Sequence, residues 1–331
     1  MDSHRKRPSK SRTRTNTYPK DNEVVIEVAY AAVNPTDWKM QDIPYFSMPY
    51  PWIFGADVSG TIVQLGAGVD RFRIGQRVMG QCDGILTRTV QNTAFQLYAT
   101  CSEILVAVVP DEIPLASAAV LPLATSTAAA GLFKILRIPL PVLDPKPAGK
   151  TILIWGGSSS CGASAIQLAK AAGYTVVTTA GTQNHDFVKT IGATYVFDHK
   201  SPTVIQDILA ILQIGDAIFD CIALASTQQA CAEVAHKIGA RKFAALLPPV
   251  PNEYNVEPVM VNGLDVGLVD FDIGDAVWRK YVPEALVKGK YLAKPDPEVL
   301  EGGLGRVQDG IDLLRNGVSA KKVVIEITKQ T

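Results

Sequence analysis

Hydrophobic and polar positions change rhythm along this chain of 331 residues. From residue 21 to 115, apolar residues alternate in short runs broken by Gly, Pro and Asn, the period of strands with one face buried. Glu23 to Ala32 is such a run, and it ends at Asn34-Pro35. Gly55 to Gly66 reads as a strand with glycines at its bends. Arg71 to Met79 turns at Ile74-Gly75-Gln76 into another strand, and Thr93 to Val109 supplies two more. Near Pro110 the texture changes. Leu115 to Ile135 is Ala-rich and helical, and a Pro-rich loop follows from Ile138 to Pro147. Strands are then predicted at Ile152–Trp155, Tyr174–Thr179, Tyr195–Phe197, Ala217–Ile222, Phe243–Leu247 and Leu264–Phe271. Helices lie between them, including Thr203–Leu212 and Thr227–Ile238. A helix at Ala276–Lys288 leads to a short αβ piece closing as a strand at Lys322–Ile327. The fold class expected is α/β, with a β-rich domain from 21–115 and 290–331. Residues 116–289 form a doubly wound parallel sheet.

The junction at Thr151–Lys170 carries chemistry. A β-branched run stops at Gly156-Gly157, and a helical pattern begins at Cys161-Gly162. Gly157, Ser159 and Gly162 occupy the three glycine positions of G-x-G-x-x-G. Such a turn lets backbone N–H groups and a helix N-terminus face a dinucleotide pyrophosphate. The same stretch is not a G-x-S-x-G nucleophile elbow, because Cys161 stands where the last glycine belongs. None of the four histidines (His4, His185, His199, His236) presents itself as a triad base.

Composition narrows the classes. The chain is 47% hydrophobic and 19% charged with formal net charge zero, which gives no general attraction to nucleic acid or membrane. No apolar run is expected to reach transmembrane length. The five cysteines form neither C-x-x-C nor a zinc spacing with His and read as reduced thiols of a cytoplasmic protein. Residues 1–20 hold seven Lys/Arg against one Asp and read as a disordered basic tail.

Motifs now point to a family. Ala32-Val-Asn-Pro-Thr-Asp-Trp-Lys39, Phe54-Gly-Ala-Asp-Val-Ser-Gly60, Ile74-Gly-Gln-Arg-Val-Met-Gly80 and Ile191-Gly-Ala193 resemble motifs of the medium-chain dehydrogenase/reductase superfamily. The β-rich half then resembles its GroES-like domain, and the second half its Rossmann domain. Leu121–Phe133, Ile154–Ser160 and Phe219–Ile222 are most similar to fungal trans-acting enoyl reductases that assist polyketide synthases. The basic tail stands where family members carry an extra strand and hairpin.

The resemblance implies a site. Zinc alcohol dehydrogenases place ligands where this chain has Asn34, Ala56-Asp57 and Leu123, so no metal is expected. The implied cofactor is NADP(H), because Thr178–Asn184 carries no acid to hold a ribose 2′-OH. Implied cofactor-binding residues are Thr36, Asp37, Trp38 and Lys39, then Gly157, Ser158, Ser159, Ser160, Cys161 and Gly162 at the turn. Gly181, Thr182, Gln183 and Asn184 match the 2′-phosphate loop; His199, Leu246, Leu247, Lys321 and Lys322 complete the set. Lys39 and Tyr45 are the catalytic candidates, Lys39 as donor to the substrate carbonyl or as a phosphate contact, Tyr45 as proton source for Cα or as an apolar anchor of its loop among Pro44, Phe46, Met48 and Pro49. Asp37 is expected to cap or orient its loop. Leu123, Ala124, Thr125, Ser126, Thr127, Ala128, Ala129 and Ala130 match the substrate-channel helix. The expected activity is NADPH-dependent reduction of an α,β-unsaturated carbonyl, with an enoyl thioester presented by a polyketide synthase as substrate. A quinone reductase and a non-catalytic NADPH-binding regulator are the alternatives, in a monomer or homodimer.

Overall fold

The computed structural model describes residues 18–43 and 50–328. Most of the basic tail and Tyr45 lie outside the described residues. The chain divides into two compact units at Leu123/Ala124 and Pro295/Asp296, where the sequence pattern suggested 115/116 and 289/290. Strands run in chain order as β1 (Glu23–Ala32), β2 (Asp57–Leu65), β3 (Arg77–Gln81), β4 (Tyr98–Ser102), β5 (Val106–Val108), β6 (Thr151–Trp155) and β7 (Thr175–Ala180). They continue as β8 (Tyr195–Asp198), β9 (Ala217–Asp220), β10 (Lys242–Ala245), β11 (Glu257–Met260), β12 (Asp296–Leu300) and β13 (Lys321–Glu326).

The first unit is a seven-stranded sheet in the order β12-β13-β1-β2-β3-β5, with β4 also on β1. Alternating residues of β1, β2 and β13 (Val24, Ile26, Val28, Val58, Ile62, Val323, Ile325) bury one core together with Phe72, Phe95 and Ile311. Register sets the polar groups of interest in a row. Ala32 pairs with Val324 on one side and Asp57 on the other, and Asp57 pairs with Gln81. Side chains two residues apart share a face, so Lys322 and Asn34 join the face of Asp57 and Gln81.

The second unit is a six-stranded sheet, all pairs parallel, in the order β11-β10-β9-β6-β7-β8. Counted from β6, that is the 3-2-1-4-5-6 order of a dinucleotide-binding fold. Two expectations need correction here. Residues 264–271 are not a strand. The N–H groups of Leu268, Val269 and Asp270 all donate to Asp265 O, and Gly267 takes φ +81°, which wraps the segment into a loop. The sixth strand is instead Glu257–Met260, whose Pro258 is tolerated because β11 lies at the sheet edge. Secondly, Leu115–Ile135 does reach transmembrane length, with mean hydropathy 1.5 over a window that is 78% buried inside the protein. It is a core segment, with Gly131 packed so closely on Phe219 that a Cβ there would overlap the ring.

Candidate dinucleotide and substrate site

The glycine turn of the second unit is built by one left-handed backbone angle and two close approaches. Gly156 adopts φ +82°, a backbone open to glycine at little cost. A Cβ on Gly157 would collide with Thr178 Oγ1, and one on Gly162 with the Gly156 carbonyl. Gly157 therefore serves close packing of the turn against β7. Gly156 N donates to Thr179 Oγ1 (3.0 Å) and Gly157 N to Thr179 O (2.9 Å), which ties the turn to β7. Ser159 caps the following helix, accepting from Gly162 N at 3.0 Å. Among the described residues, the N–H groups of Ser158, Ser160 and Cys161 take no protein acceptor. Three free donors at a helix N-terminus fit a pyrophosphate in charge and chemistry.

Beyond β7 the chain turns through Gly181 and a 3₁₀ turn, Thr182–Asn184. Thr182 and Gln183 are exposed, whereas Asn184 is buried. Thr178 and Thr179 are fully buried, with Thr178 Oγ1 donating to Ile154 O at 2.6 Å. Their hydroxyls belong to the sheet, so the donors left to a 2′-phosphate are those of residues 181–183. Register adds a group that sequence spacing hides. Asp198 of β8 stands beside Ala180, accepting from Lys200 N (3.0 Å) with His199 Nδ1 at 3.8 Å. Leu246 and Leu247 follow β10, half-buried, with Leu246 N on Asp220 O. Asp220 itself fixes the loop after β9 through Ile222 N, Ala223 N and Thr227 Oγ1.

In the first unit, Asn34 precedes the helix Pro35–Asp42. Asp37 accepts from Asn34 N (2.7 Å) and Gly55 N (2.9 Å), which locks the two motif segments together. Burial pushes its carboxyl up to about 7 despite those N–H groups and the nearby Lys322. Asp57, with no solvent exposure, receives Asn34 Nδ2 (2.8 Å), Leu123 N (2.6 Å) and Lys322 Nζ (3.1 Å). Lys322 Nζ also donates to Asn34 Oδ1 at 2.5 Å. The amine of Lys322 is thus turned inward and engaged, while Lys321 is exposed on the adjacent position. Where the resemblance places zinc ligands, this chain has an amide, a methyl, an isobutyl group and a buried Lys–Asp pair. Among the described residues no group of three or more His, Cys, Asp or Glu could hold a metal ion. Gln81, opposite Asp57, is fully buried, and among the described residues neither its amide atoms nor Thr36 Oγ1 has a hydrogen-bond partner. Lys39 and Trp38 are half-buried, with the Lys39 ammonium 5.6 Å from the Trp38 ring centroid. Burial lowers the Lys39 pKa, and among the described residues no carboxylate pairs with it.

The run Leu123–Ala130 is mostly interior. Thr125 Oγ1 lies 2.8 Å from Tyr291 OH, and Trp278 Nε1 donates to Ser126 Oγ at 2.9 Å. Only Leu123 and Thr127, one helical turn apart, are partly exposed. The remaining six positions hold the helix in place. Tyr291 and Trp278 escaped the sequence reading because their partners Thr125 and Ser126 are distant in sequence, and Gln81 and Asp198 because only strand register sets them beside Asp57 and Ala180.

A parallel-sheet dinucleotide unit following a β-rich unit with a buried polar cluster defines a class of nicotinamide-dependent oxidoreductase. The family model "Alcohol dehydrogenase GroES-like domain" matches residues 20–111, and "Zinc-binding dehydrogenase" matches residues 161–286. The chain belongs to the medium-chain dehydrogenase/reductase superfamily, alongside fungal trans-enoyl reductases. It is 58% identical over 308 residues to trans-enoyl reductase himH of Aspergillus japonicus, covering 93% of this chain and 90% of that one. It is 37% identical to dehydrogenase pigH of Monascus ruber, covering 93% of each chain. A solved alcohol dehydrogenase superfamily protein from Novosphingobium aromaticivorans superposes with TM-score 0.77 at 23% identity, covering 96% of this chain and 95% of that one. The CurK enoyl reductase superposes at TM-score 0.73 and 18% identity, over 95% and 94% of the two chains. Both likenesses speak for the fold.

Proposed function

We propose that the chain is an NADPH-dependent, zinc-independent reductase of an enoyl thioester, a polyketide intermediate presented by a partner synthase. The 58% identity to a trans-enoyl reductase over nearly the whole chain carries this reading. The donor set supports it. With Asn34, Ala56 and Leu123 at the ligand positions there is no thiolate or imidazole to hold a Lewis acid for alcohol oxidation. An activated C=C needs none, because its carbonyl accepts hydrogen bonds as charge develops.

NADPH, when bound, supplies the hydride that adds to the β carbon of the enoyl group. Ser158, Ser160 and Cys161 offer backbone N–H groups to the pyrophosphate. Gly181, Thr182 and Gln183 offer backbone N–H, hydroxyl and amide donors to the 2′-phosphate, with exposed Lys189 and Lys200 adding positive charge nearby. Lys39 donates to the thioester oxygen as the electron pair moves there, and its lowered pKa makes it a stronger acid for that task. Tyr45 delivers the proton to Cα. Thr127, partly exposed on its helix, is the candidate contact for the acyl group in the second unit. The test is NADPH oxidation by the purified protein against an enoyl thioester, a quinone and an aldehyde. Turnover of the thioester is expected. Turnover of the quinone alone would move the assignment to a quinone reductase, and binding without any turnover to a regulatory protein.

A further inference from the structure

A three-member clamp in the second unit is not explained by cofactor binding. Lys134, on the π-helical turn Ala130–Ile135, reaches Asp265 Oδ2 at 2.6 Å and Asp270 Oδ2 at 2.7 Å. The two carboxylates bracket the loop after β11. Asn262 Nδ2 donates to the other oxygen of Asp265 at 2.6 Å, and the N–H groups of Leu268, Val269 and Asp270 converge on its carbonyl. The loop is compact, with Val266 and Asp270 bridged. Among the described residues, Lys134 is the one that ties it through ion pairs to the preceding helix. Both carboxylates hold the Lys134 pKa above its ordinary value, so its ammonium is charged throughout the neutral range.

The position of this loop gives it a role. All neighbouring strands are parallel, so the loop leaves the carboxyl edge of the sheet, the edge from which the glycine turn follows β6. Ligands of open α/β sheets bind along that edge. Gly263 packs directly on Thr127, leaving no room for a Cβ between them, and Thr127 is the one partly exposed residue of this unit in the candidate substrate helix. The loop and its exit also expose Val269 and Phe271, at 65% and 53%. Apolar side chains standing at a ligand edge suit a hydrocarbon chain better than water.

We infer that Lys134 is a specificity-determining positioning residue: through Asp265 and Asp270 it fixes the 262–270 loop against Thr127, and that loop selects the acyl chain of the substrate. The inference rests on the enoyl-thioester reading above but is tested by binding. Saturated butyryl and decanoyl thioesters of N-acetylcysteamine are titrated by calorimetry with NADP⁺ present. Wild type binds the decanoyl compound more tightly. In Lys134→Met, which keeps the length of the side chain and removes its charge, that preference falls about five- to tenfold as the loop loses its fixed position. Butyryl binding moves less than twofold. Lys134→Arg restores the preference, because a guanidinium still spans both carboxylates. Asp270→Asn, which breaks one arm, serves if Lys134→Met does not fold, and it should show an intermediate loss. Equal preference in wild type and variants, or no chain-length preference in wild type, overturns the inference. Tight decanoyl binding without NADPH oxidation by decenoyl thioester would overturn the reductase reading and leave this one standing.

Discussion

Gly181→Asp tests whether the loop after β7 reads a 2′-phosphate. Gly181 has φ −65°, so an L side chain suits the backbone. The new Cβ would lie 2.8 Å from Gln183 Oε1, the far end of an exposed and flexible side chain that can swing aside. The carboxylate then stands among the donors that remain to a phosphate, since Thr178 and Thr179 are bound within the sheet. Two like charges about 4 Å apart repel by roughly 4 kcal/mol at an effective dielectric near ~20. Exposure and a Debye length of ~8 Å remove much of that. A residual penalty of about 1.4–2.8 kcal/mol corresponds to a ten- to hundredfold fall in the preference for NADPH over NADH. Fluorescence titration of both cofactors measures the ratio directly. Asp198→Asn is the control in the opposite direction, because it removes the carboxylate that register places beside Ala180. A wild type that prefers NADH, or a ratio that Gly181→Asp leaves unmoved, refutes the assignment of NADPH.

Four further outcomes are expected. Lys322→Met leaves the Asp57 carboxylate buried without its cation and should lower stability by about 3–5 kcal/mol in urea unfolding; adding Asp57→Asn should recover most of it, and additive losses would show that the pair is not coupled. Gln81→Met replaces a fully buried, unbonded amide with an apolar chain of similar length and should raise stability by about 1–3 kcal/mol; a lower Tm would mean the amide has a partner. Asp37 has a folded pKa of about 7 against an ordinary 3.8, so the folded protein binds its proton more tightly. Its contribution to stability is full below the ordinary value and is lost as pH rises through about 7, a slope that should vanish in Asp37→Asn. Elemental analysis of purified protein should find no stoichiometric zinc, and one tightly held zinc per chain would contradict the donor set around Asn34.

Local pattern carried the fold a long way. The glycine turn was readable because strand, turn and helix are contiguous, and Asp37, expected to cap or orient its loop, accepts from Asn34 N three residues before it. The edge strand Glu257–Met260 was not readable, being four residues long with a proline in it. Leu264–Phe271 misled because apolar residues at loop positions imitate an alternating strand, while Gly267 and the convergence on Asp265 decide the geometry. The candidate site was less legible than the fold. Ala-rich helical texture does not say which face is interior, and here Thr125 and Ser126 spend their hydroxyls on Tyr291 and Trp278. Likewise nothing local to Lys322 announces that its amine meets Asp57 and Asn34.

The sheet of the first unit begins with β1 and is completed by β13, with Ala32 beside Val324. Lys322 and Asn34 are 288 positions apart. On a ribosome adding about 5–20 residues per second, that interval is roughly tens of seconds. The segment Ala124–Pro295 is contiguous and emerges whole within that wait. Meanwhile β1 has an open edge where β13 will pair, and Asp57 has no cation. Loop-closure entropy rises only logarithmically with separation, so distance alone is no obstacle to the late arrival. Synthesis interrupted before Lys321 would leave an unpaired strand edge and an acidic group that cannot be buried at low cost. Strand β13 therefore acts as a check on synthesis, because the first-made part of this sheet closes only once Lys321–Glu326 has emerged.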